Sequence, residues 1–231
     1  MQNRLLATLP PADYGLVGPY LTHIDLERGR LLYDPGDPID TVYFPHDGVI
    51  SLMTLMENGA AIESATIGPE GALGLMAAVS PRQSLSRAIV QTPCRAARIS
   101  AALLHEAWEK SPAIRRFIDR HTEALFGHAA QSAACNALHS VEARFCRWLL
   151  TCHDRISTST VALTQEFLAD MLGVQRTTVT AVARTLQERG YIRYRRGVVD
   201  IIDRAGLEAM TCECYGVVRR TYERLLPGTE G

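Results

Sequence analysis

The sequence predicts an α+β protein with a β-rich N-terminal part, a long helix in the middle and a helical C-terminal part that contains a β-hairpin. Three observations support this division. Short apolar runs separated by turn residues fill roughly the first hundred positions, a proline-free stretch spans 113–137, and two helix-length segments around a glycine precede an arginine-rich hairpin. The predicted parts are residues 1–110, 111–138 and 139–231.

Turn signals divide the N-terminal part into short strands. The proline- and glycine-rich residues 34–38 end one strand, and Asn58-Gly59 is typical of a tight turn between two antiparallel strands. Apolar runs at 49–56 and 61–67 flank that turn. Short strands at this rhythm are typical of a β-sandwich or jelly roll.

In the middle helix, one stripe of side chains recurs at three-, four- and seven-residue steps. Its members are Ile114, Ile118, His121, Leu125, His128 and Ser132. The stripe either packs on the chain's own domain or meets a second copy of the helix across a two-stranded seam. The two histidines weaken the second interpretation, and the residues alone leave both open. A further helix is predicted from Ser140 to about Arg155.

Residues 164–190 have the pattern of a helix-turn-helix. Thr164 is suited to cap a helix, and Gly173 lies where the tight turn needs a residue that tolerates positive φ. Apolar residues then bury one face of the second helix, at about 175–189, and leave a polar face for the major groove of DNA. The candidate DNA contacts in this motif are Thr164, Gln165, Gln175, Arg176, Thr177, Thr178, Thr180 and Arg184.

A basic hairpin follows the second helix. Residues 175–196 contain six arginines and one acid, although the whole chain has a formal net charge of −1. Two strands around Arg195-Arg196-Gly197 predict a wing, whose arginines are suited to contact phosphates. An ordinary exposed turn is the alternative, and the winged helix-turn-helix accounts for more of the sequence.

This order of parts resembles the Crp/Fnr family of bacterial regulators over nearly the whole chain. The residues that support the resemblance are Pro35-Gly36, Tyr43-Phe44 and Gly48, the segment 144–150, and the segments 163–166 and 172–179. The resemblance implies a double-stranded β-helix sensor domain of the cyclic-nucleotide-binding type, dimerisation through the long helix, and a two-fold symmetric DNA site. It therefore favours the seam interpretation of the middle helix.

The chain departs from the family at the positions that bind cyclic AMP. The glutamate of the family's Gly-Glu pair would fall at about Gly74 and its Arg-Ser pair at about Ser84-Leu85, where neither residue type matches. If an effector pocket exists, we expect it around Gly71, Gly74, Arg82 and Arg87. The effector is unknown, and no cofactor is expected.

The DNA-reading positions also depart from the cyclic-AMP receptor type. Arg176 matches its first arginine, but Thr177 replaces a glutamate and Ala181 replaces a second arginine. We therefore expect a half-site with fewer strongly specified positions.

Other classes of protein find no support in the sequence. The six cysteines form no Cys-x-x-Cys pair, and Cys212 and Cys214, if helical, would point to different faces, so no metal site is predicted. A P-loop, a dinucleotide fingerprint and a nucleophile elbow are all missing, so the protein is not expected to be an enzyme. A signal peptide and a membrane-length apolar run are missing as well, which indicates the cytoplasm and no membrane partner.

The sequence thus predicts a sequence-specific transcriptional regulator that binds double-stranded DNA as a homodimer, with RNA polymerase as a further candidate partner. The alternative is a cyclic-nucleotide-binding regulatory module that acts through protein contacts. The two differ in whether the chain forms a salt-sensitive complex with DNA.

Overall fold

The structure, a computed structural model, describes residues 3–156 and 158–226. The outer ends of the first and last predicted parts, 1–2 and 227–231, lie outside the described residues. The strands are β1 (Thr22–Leu26), β2 (Leu31–Tyr33), β3 (Thr41–Pro45), β4 (Val49–Leu55), β5 (Ala61–Ile67), β6 (Arg87–Thr92), β7 (Cys94–Ser100), β8 (Thr160–Ala162), β9 (Ile192–Arg195) and β10 (Val198–Ile201). The α-helices are α1 (Pro11–Tyr14), α2 (Ala101–Lys110), α3 (Pro112–Leu138), α4 (Val141–His153), α5 (Gln165–Leu172), α6 (Arg176–Glu188), α7 (Arg204–Met210) and α8 (Cys214–Leu225).

Strands β1–β7 form the β domain, which is a sandwich of two antiparallel sheets, as the sequence predicts. The strand orders are β1-β7-β3 and β2-β6-β4-β5. Tyr43 from the first sheet and Ile50 from the second lie in one buried cluster between them. The hairpin predicted at Asn58-Gly59 joins β4 to β5, and Asn58 Oδ1 accepts a hydrogen bond from the Ala60 backbone N–H at 3.0 Å.

The long helix α3 begins at a well-capped end. Ser111 Oγ accepts a hydrogen bond from the Ile114 backbone N–H at 3.0 Å, and Pro112 occupies the first helical position. The helix has 27 residues, which corresponds to a length of about 40 Å. Its bounds agree with the predicted 111–138 to within one residue.

The stripe predicted for the dimer interface packs within its own chain. Of its six members, Leu125 is half-buried, and those that are buried are Ile114, Ile118, His121, His128 and Ser132. Ile114 and Ile118 share a core with Tyr222 of α8. His121 Nε2 accepts a hydrogen bond from the Ala72 backbone N–H at 3.0 Å, and burial lowers the pKa of His121 to about 4, so this imidazole is neutral. The five buried members therefore pack within their own chain, which favours the own-domain interpretation, and Leu125 alone of the six stays partly accessible.

The C-terminal domain combines α4–α8 with a three-stranded antiparallel sheet of order β8-β10-β9. Its core contains Phe145 and Leu149 of α4, Leu168 of α5, Leu186 of α6 and Val199 of β10. The sequence predicts the two wing strands but not β8, because three residues are too few to show an alternating pattern.

The β domain and the C-terminal domain share one hydrophobic core. Val49 and Met53 of β4 lie in the same buried cluster as Phe145 of α4. The boundary predicted at residue 139 therefore marks a change of secondary structure and not a gap in the packing. Within the described ranges, no helix has both the length and the apolar character that a membrane span requires.

Candidate nucleic-acid interface

Helices α5 and α6 form the helix-turn-helix, and local sequence signals fix both ends of α5. Thr164 Oγ1 accepts a hydrogen bond from the Phe167 backbone N–H at 3.2 Å, which caps the first turn. Gly173 ends the helix in the left-handed conformation, with φ of +61°. Val179 and Leu186 are fully buried on the inner side of α6. The chain thus turns at the predicted residue, and the outer side of α6 is left to the solvent.

The predicted contacts on α6 share that outer side. Thr178 is half-buried, and the exposed residues are Gln175, Arg176, Thr177, Thr180, Ala181 and Arg184. They recur at three- and four-residue steps, so they form one face about three turns long. The structure therefore brings together nearly all side chains that the sequence assigns to the recognition helix.

Gln165 connects the first helix of the motif to the second. Its Oε1 accepts hydrogen bonds from Thr180 Oγ1 at 3.1 Å and from Arg176 Nε at 3.5 Å. The amide therefore restrains the guanidinium at the N-terminal end of α6, which is the end that approaches base edges in helix-turn-helix complexes. Arg184 Nε lies 2.7 Å from Glu188 Oε1 in an exposed ion pair along the helix.

The wing is a two-residue hairpin between β9 and β10. Arg196 and Gly197 at its tip both have positive φ, at +49° and +79°, as a type I′ turn requires. Gly197 O accepts a hydrogen bond from the Leu163 backbone N–H at 2.6 Å, and Tyr194 Oη donates one to Leu163 O at 3.0 Å. The wing is therefore fixed to the residue that precedes the cap of α5, and Arg195 and Arg196 are exposed at its tip.

Basic groups dominate this surface. An open groove of about 380 Å³ separates the helix-turn-helix from the wing, and Gln165, Arg176, Tyr194 and Arg196 are among its lining residues. All six arginines of residues 175–196 are exposed, and the one acid there is the partner of Arg184. The arrangement is suited to bind a polyanion along two neighbouring ridges.

The residues predicted for an effector pocket have separate partners. A Cβ on Gly71 would lie 3.0 Å from His121 Nε2, and one on Gly74 would lie 2.8 Å from Ile39 Cγ2. Arg82 Nε donates to Met76 O at 3.2 Å on an exposed turn. Arg87 donates to both carboxylate oxygens of Asp34 at 2.8 Å. The two guanidinium groups are therefore engaged in different places and do not form a common anion site in this structure.

The structure also brings together side chains that the sequence analysis separates. Cys212 and Cys214 do not lie in one helix, because α7 ends at Met210 and α8 begins at Cys214. Their sulfur atoms point to the same place, next to Cys135 and His139. Cys135 and His139 are four residues apart around the end of α3. This cysteine-to-histidine spacing is neither a Cys-x-x-Cys pair nor a pair of histidines, which are the two patterns that usually indicate a metal site in a sequence.

Two family models match the chain, one in each domain. Residues 23–111 match the cyclic nucleotide-binding domain, and residues 143–210 match the Crp-like helix-turn-helix domain. The second match contains α5, α6 and the wing.

Curated relatives and solved structures are similar over most of the chain. The global nitrogen regulator of Nostoc sp. strain PCC 7120 is 24% identical over 185 residues, which cover 76% of this chain and 82% of that protein. The CRP-like cAMP-activated global transcriptional regulator of Mycobacterium tuberculosis strain H37Rv is 24% identical over 84% of this chain and 89% of its own length. The structure of FixK2 from Bradyrhizobium japonicum superposes with a TM-score of 0.70 at 18% identity, covering 83% of this chain and 98% of FixK2. The two domain models and the regulators of similar sequence together show that the chain belongs to the Crp/Fnr family and is a DNA-binding transcriptional regulator.

Proposed function

We propose that the chain binds a two-fold symmetric operator in double-stranded DNA as a homodimer, with α6 of each copy in the major groove of one half-site. The observation that supports this most directly is the exposed face of α6, which carries Arg176, Thr177 and Thr180. Arg176 also lines the groove beside the wing. A helix fits the major groove, and the residues near its N-terminus are the ones that contact base edges.

Arg176 and Thr177 are the proposed base-reading residues. An arginine can donate two hydrogen bonds to O6 and N7 of guanine, and a threonine methyl group can pack against the methyl group of thymine. Gln165 restrains Arg176 for that contact. Ala181, one turn further along the exposed face, has no polar group to offer, so the half-site contains fewer specified base pairs than one read by two arginines.

The wing and the outer arginines bind phosphates in this proposal. Arg195 and Arg196 lie at the exposed tip of the hairpin. Their contacts with phosphates do not distinguish one base sequence from another. Arg184 also binds a phosphate in this proposal, and its ion pair with Glu188 then breaks. The loss of that pair costs little, because exposed ion pairs contribute less than about 1 kcal/mol to stability.

The outer side of α3 is the proposed dimer interface. On the side of the helix that does not pack on its own chain, exposed Phe126, Ala130, Ala133 and Ala137 recur at steps of four, three and four residues. This is the spacing of a two-stranded coiled coil, and three alanines allow the helices to approach closely. We call these four residues the α3 outer stripe. It replaces the buried stripe that the sequence analysis assigned to the seam.

Replacing Arg176 with alanine tests the reading face. Operator fragments are first selected from genomic DNA with the unmodified protein, and affinities for an operator and for a scrambled duplex are then measured at two salt concentrations. We expect the variant to lose about 1–3 kcal/mol of discrimination at one base pair of each half-site. Arg195→Ala should instead weaken binding to both duplexes and lower the slope of log K against log salt by about 0.9 per copy.

Arg30→Ala is the matched control, because Arg30 is exposed in the β domain, outside α6 and the wing. If Arg176→Ala and Arg30→Ala discriminate between operator and scrambled DNA equally well, Arg176 does not read a base. If no genomic fragment forms a salt-sensitive complex with the unmodified protein, the proposed mode of action fails as a whole.

A further inference from the structure

Four potential metal ligands converge where α3 ends. Cys135 lies in the last turn of α3, His139 follows the helix, and Cys212 and Cys214 border the connection between α7 and α8. Their three sulfur atoms and one ring nitrogen all lie within 4.8 Å of one another. The three cysteines are buried and His139 is half-buried, so the group is largely closed to solvent.

The spacing of the four atoms fits one metal ion. Cys135 Sγ lies 3.5 Å from Cys212 Sγ, and Cys214 Sγ lies 3.5 Å from His139 Nδ1. Zinc bonds of about 2.3 Å to sulfur and about 2.0 Å to nitrogen place tetrahedral ligands roughly 3.5–3.8 Å apart. A disulfide would require about 2.0 Å between the sulfurs. An iron–sulfur cluster would spread its ligands over several irons, farther apart than the atoms found here.

The surroundings of His139 match those of a metal-bound histidine. Its Nδ1 faces the sulfur group, and its Nε2 lies 3.2 Å from Glu213 Oε2. Histidine ligands commonly donate their second N–H to a carboxylate, which fixes the tautomer and orients the ring toward the metal. Gln131 Nε2 also donates to Cys214 Sγ at 3.0 Å. The hydrogen bonds around the group therefore hold both a ring nitrogen and a sulfur in the geometry of ligands.

A buried guanidinium lies close to the four candidate ligands. Arg144 of α4 is buried, and it donates a hydrogen bond at 3.3 Å to the side-chain oxygen of Asn136, the residue after Cys135. Its described hydrogen bonds go to neutral oxygens, those of Asn136 and Leu172. Three thiolates around a divalent ion would supply a net charge of −1 to balance this guanidinium.

We propose that Cys135, His139, Cys212 and Cys214 bind one Zn²⁺ ion in a tetrahedral structural site. Three cysteines and one histidine are an established donor set for zinc sites that stabilise a fold, and four protein ligands leave no open position for catalysis. The ion ties the end of the long helix to the connection between α7 and α8. This site does not depend on the proposed DNA-binding mode.

The position of the site gives the ion a structural role at the joint between the domains. Cys135 lies in the last turn of α3, and His139 lies between α3 and α4. Arg144 of α4 reaches from the same place to Leu172 O, at 2.8 Å, one residue before the turn of the helix-turn-helix. Metal binding therefore holds the joint on which the orientation of α5 and α6 depends.

The test begins with the unmodified full-length chain, purified under reducing conditions without a metal-binding affinity tag. Elemental analysis should find one zinc per chain. After exchange for Co²⁺, the absorption spectrum should show the intense visible bands of a tetrahedral ion and sulfur-to-cobalt charge transfer in the near ultraviolet. Three results would each overturn the proposal. The chain binds neither zinc nor cobalt, it contains iron together with acid-labile sulfide, or it forms a Cys135–Cys212 disulfide without bound metal.

Variants then assign the ligands. Cys214→Ser should lose stoichiometric zinc, whereas Cys94→Ser, at a buried cysteine of the β domain, should retain it. Glu213→Gln keeps all four ligands and should weaken zinc affinity by about 10–100-fold, so it remains informative if the cysteine variant does not fold. Equal loss of metal from Cys94→Ser and Cys214→Ser would refute the assignment. Because zinc is measured without DNA, failure here is distinct from failure of the proposed DNA binding.

Discussion

Arg155, which follows α4, forms a buried ion pair with Glu70 of the β domain. The guanidinium also donates a hydrogen bond to Thr66 Oγ1 of β5, and its backbone carbonyl accepts one from the Gly48 N–H at 2.8 Å. Arg4 lies 3.4 Å from the same carboxylate. One side chain from the C-terminal domain thus supplies the main counter-charge for a carboxylate buried in the other domain.

We expect Arg155→Met to destabilise the chain by about 3–5 kcal/mol, because it leaves Glu70 buried without its nearest cation. Chemical denaturation followed by circular dichroism measures the loss. Adding Glu70→Gln should restore part of the stability, since the buried charge is then removed as well. Arg95→Met, which breaks an exposed pair with Asp47, is the control and should cost less than about 1 kcal/mol. Similar losses from both single variants would contradict this account.

Gly173 combines two constraints that can be separated by mutation. Its φ of +61° is unfavourable for other residues, and a Cβ there would lie 2.8 Å from Ile62 Cδ1 of β5. Gly190 has a φ of +78°, and a Cβ there would meet nothing within 4 Å, so it has the first constraint only. We expect Gly190→Ala to cost about 1–2 kcal/mol and Gly173→Ala to cost more. The free energies of unfolding measure both.

Ile62→Val removes the Cδ1 atom and provides the control. In that background Gly173→Ala should cost about as much as Gly190→Ala, because only the backbone strain remains. If Ile62→Val has no effect on the cost of Gly173→Ala, the turn of the helix-turn-helix does not rest on β5 in solution.

Local signals were sufficient to predict the helix-turn-helix. The cap at Thr164, the glycine at 173 and the spacing of Val179 and Leu186 each act within a few residues, so the sequence carries them directly. The hairpin at Asn58-Gly59 is predictable for the same reason.

Non-local contacts account for what the sequence did not reveal. The middle helix has apolar or small residues on two sides, and only the packing of the β domain and α8 decides that Ile118 faces inward and Phe126 outward. The cluster of Cys135, Cys212 and Cys214 forms because the helical structure is interrupted between Met210 and Cys214. It also needs the end of α3 to come close, although Cys135 and Cys212 are 77 residues apart in the sequence. Neither is visible in a local pattern.

Glu63 makes the stability of the domain contact depend on pH. The carboxyl is buried, and Ser51 Oγ donates a hydrogen bond to it at 2.7 Å. Burial raises the pKa of Glu63 from 4.5 to about 7, against the lowering effects of Ser51, Arg147 and Arg155. The folded chain therefore holds this proton more tightly than the unfolded chain does, and the resulting stability is present below pH 4.5 and is lost as the pH rises through 7.

Glu63→Gln removes this titration and keeps an acceptor for Ser51. We expect the variant to gain stability relative to the unmodified chain by about 3 kcal/mol between about pH 4.5 and pH 8, measured by denaturant unfolding at several pH values. Glu57→Gln, on the exposed tip of the β4–β5 hairpin, is the matched exchange of a carboxyl for an amide. If the difference in free energy of unfolding between Glu63→Gln and the unmodified chain does not change with pH, Glu63 does not titrate in this range.

Phe126 is the residue of the α3 outer stripe with the most apolar surface to bury, and its side chain is 75% exposed in the single chain. If two copies of α3 pair along this stripe, both rings become buried in the seam. Phe126→Glu would then place two carboxylates in an apolar interface. Loss of an aromatic anchor commonly costs about 2 kcal/mol or more, which is roughly a 30-fold increase in the dimer dissociation constant. Sedimentation velocity over a range of concentrations measures this increase.

Leu85→Glu is the control, because Leu85 is 92% exposed in the β domain, outside α3. It should remain dimeric, and it should bind a full operator like the unmodified chain. Phe126→Glu should bind the full operator no more tightly than a single half-site, because each copy then arrives independently and the gain from joining two reading helices is lost. If Phe126→Glu is dimeric at the same concentrations as the unmodified chain, the dimer interface does not lie on the α3 outer stripe.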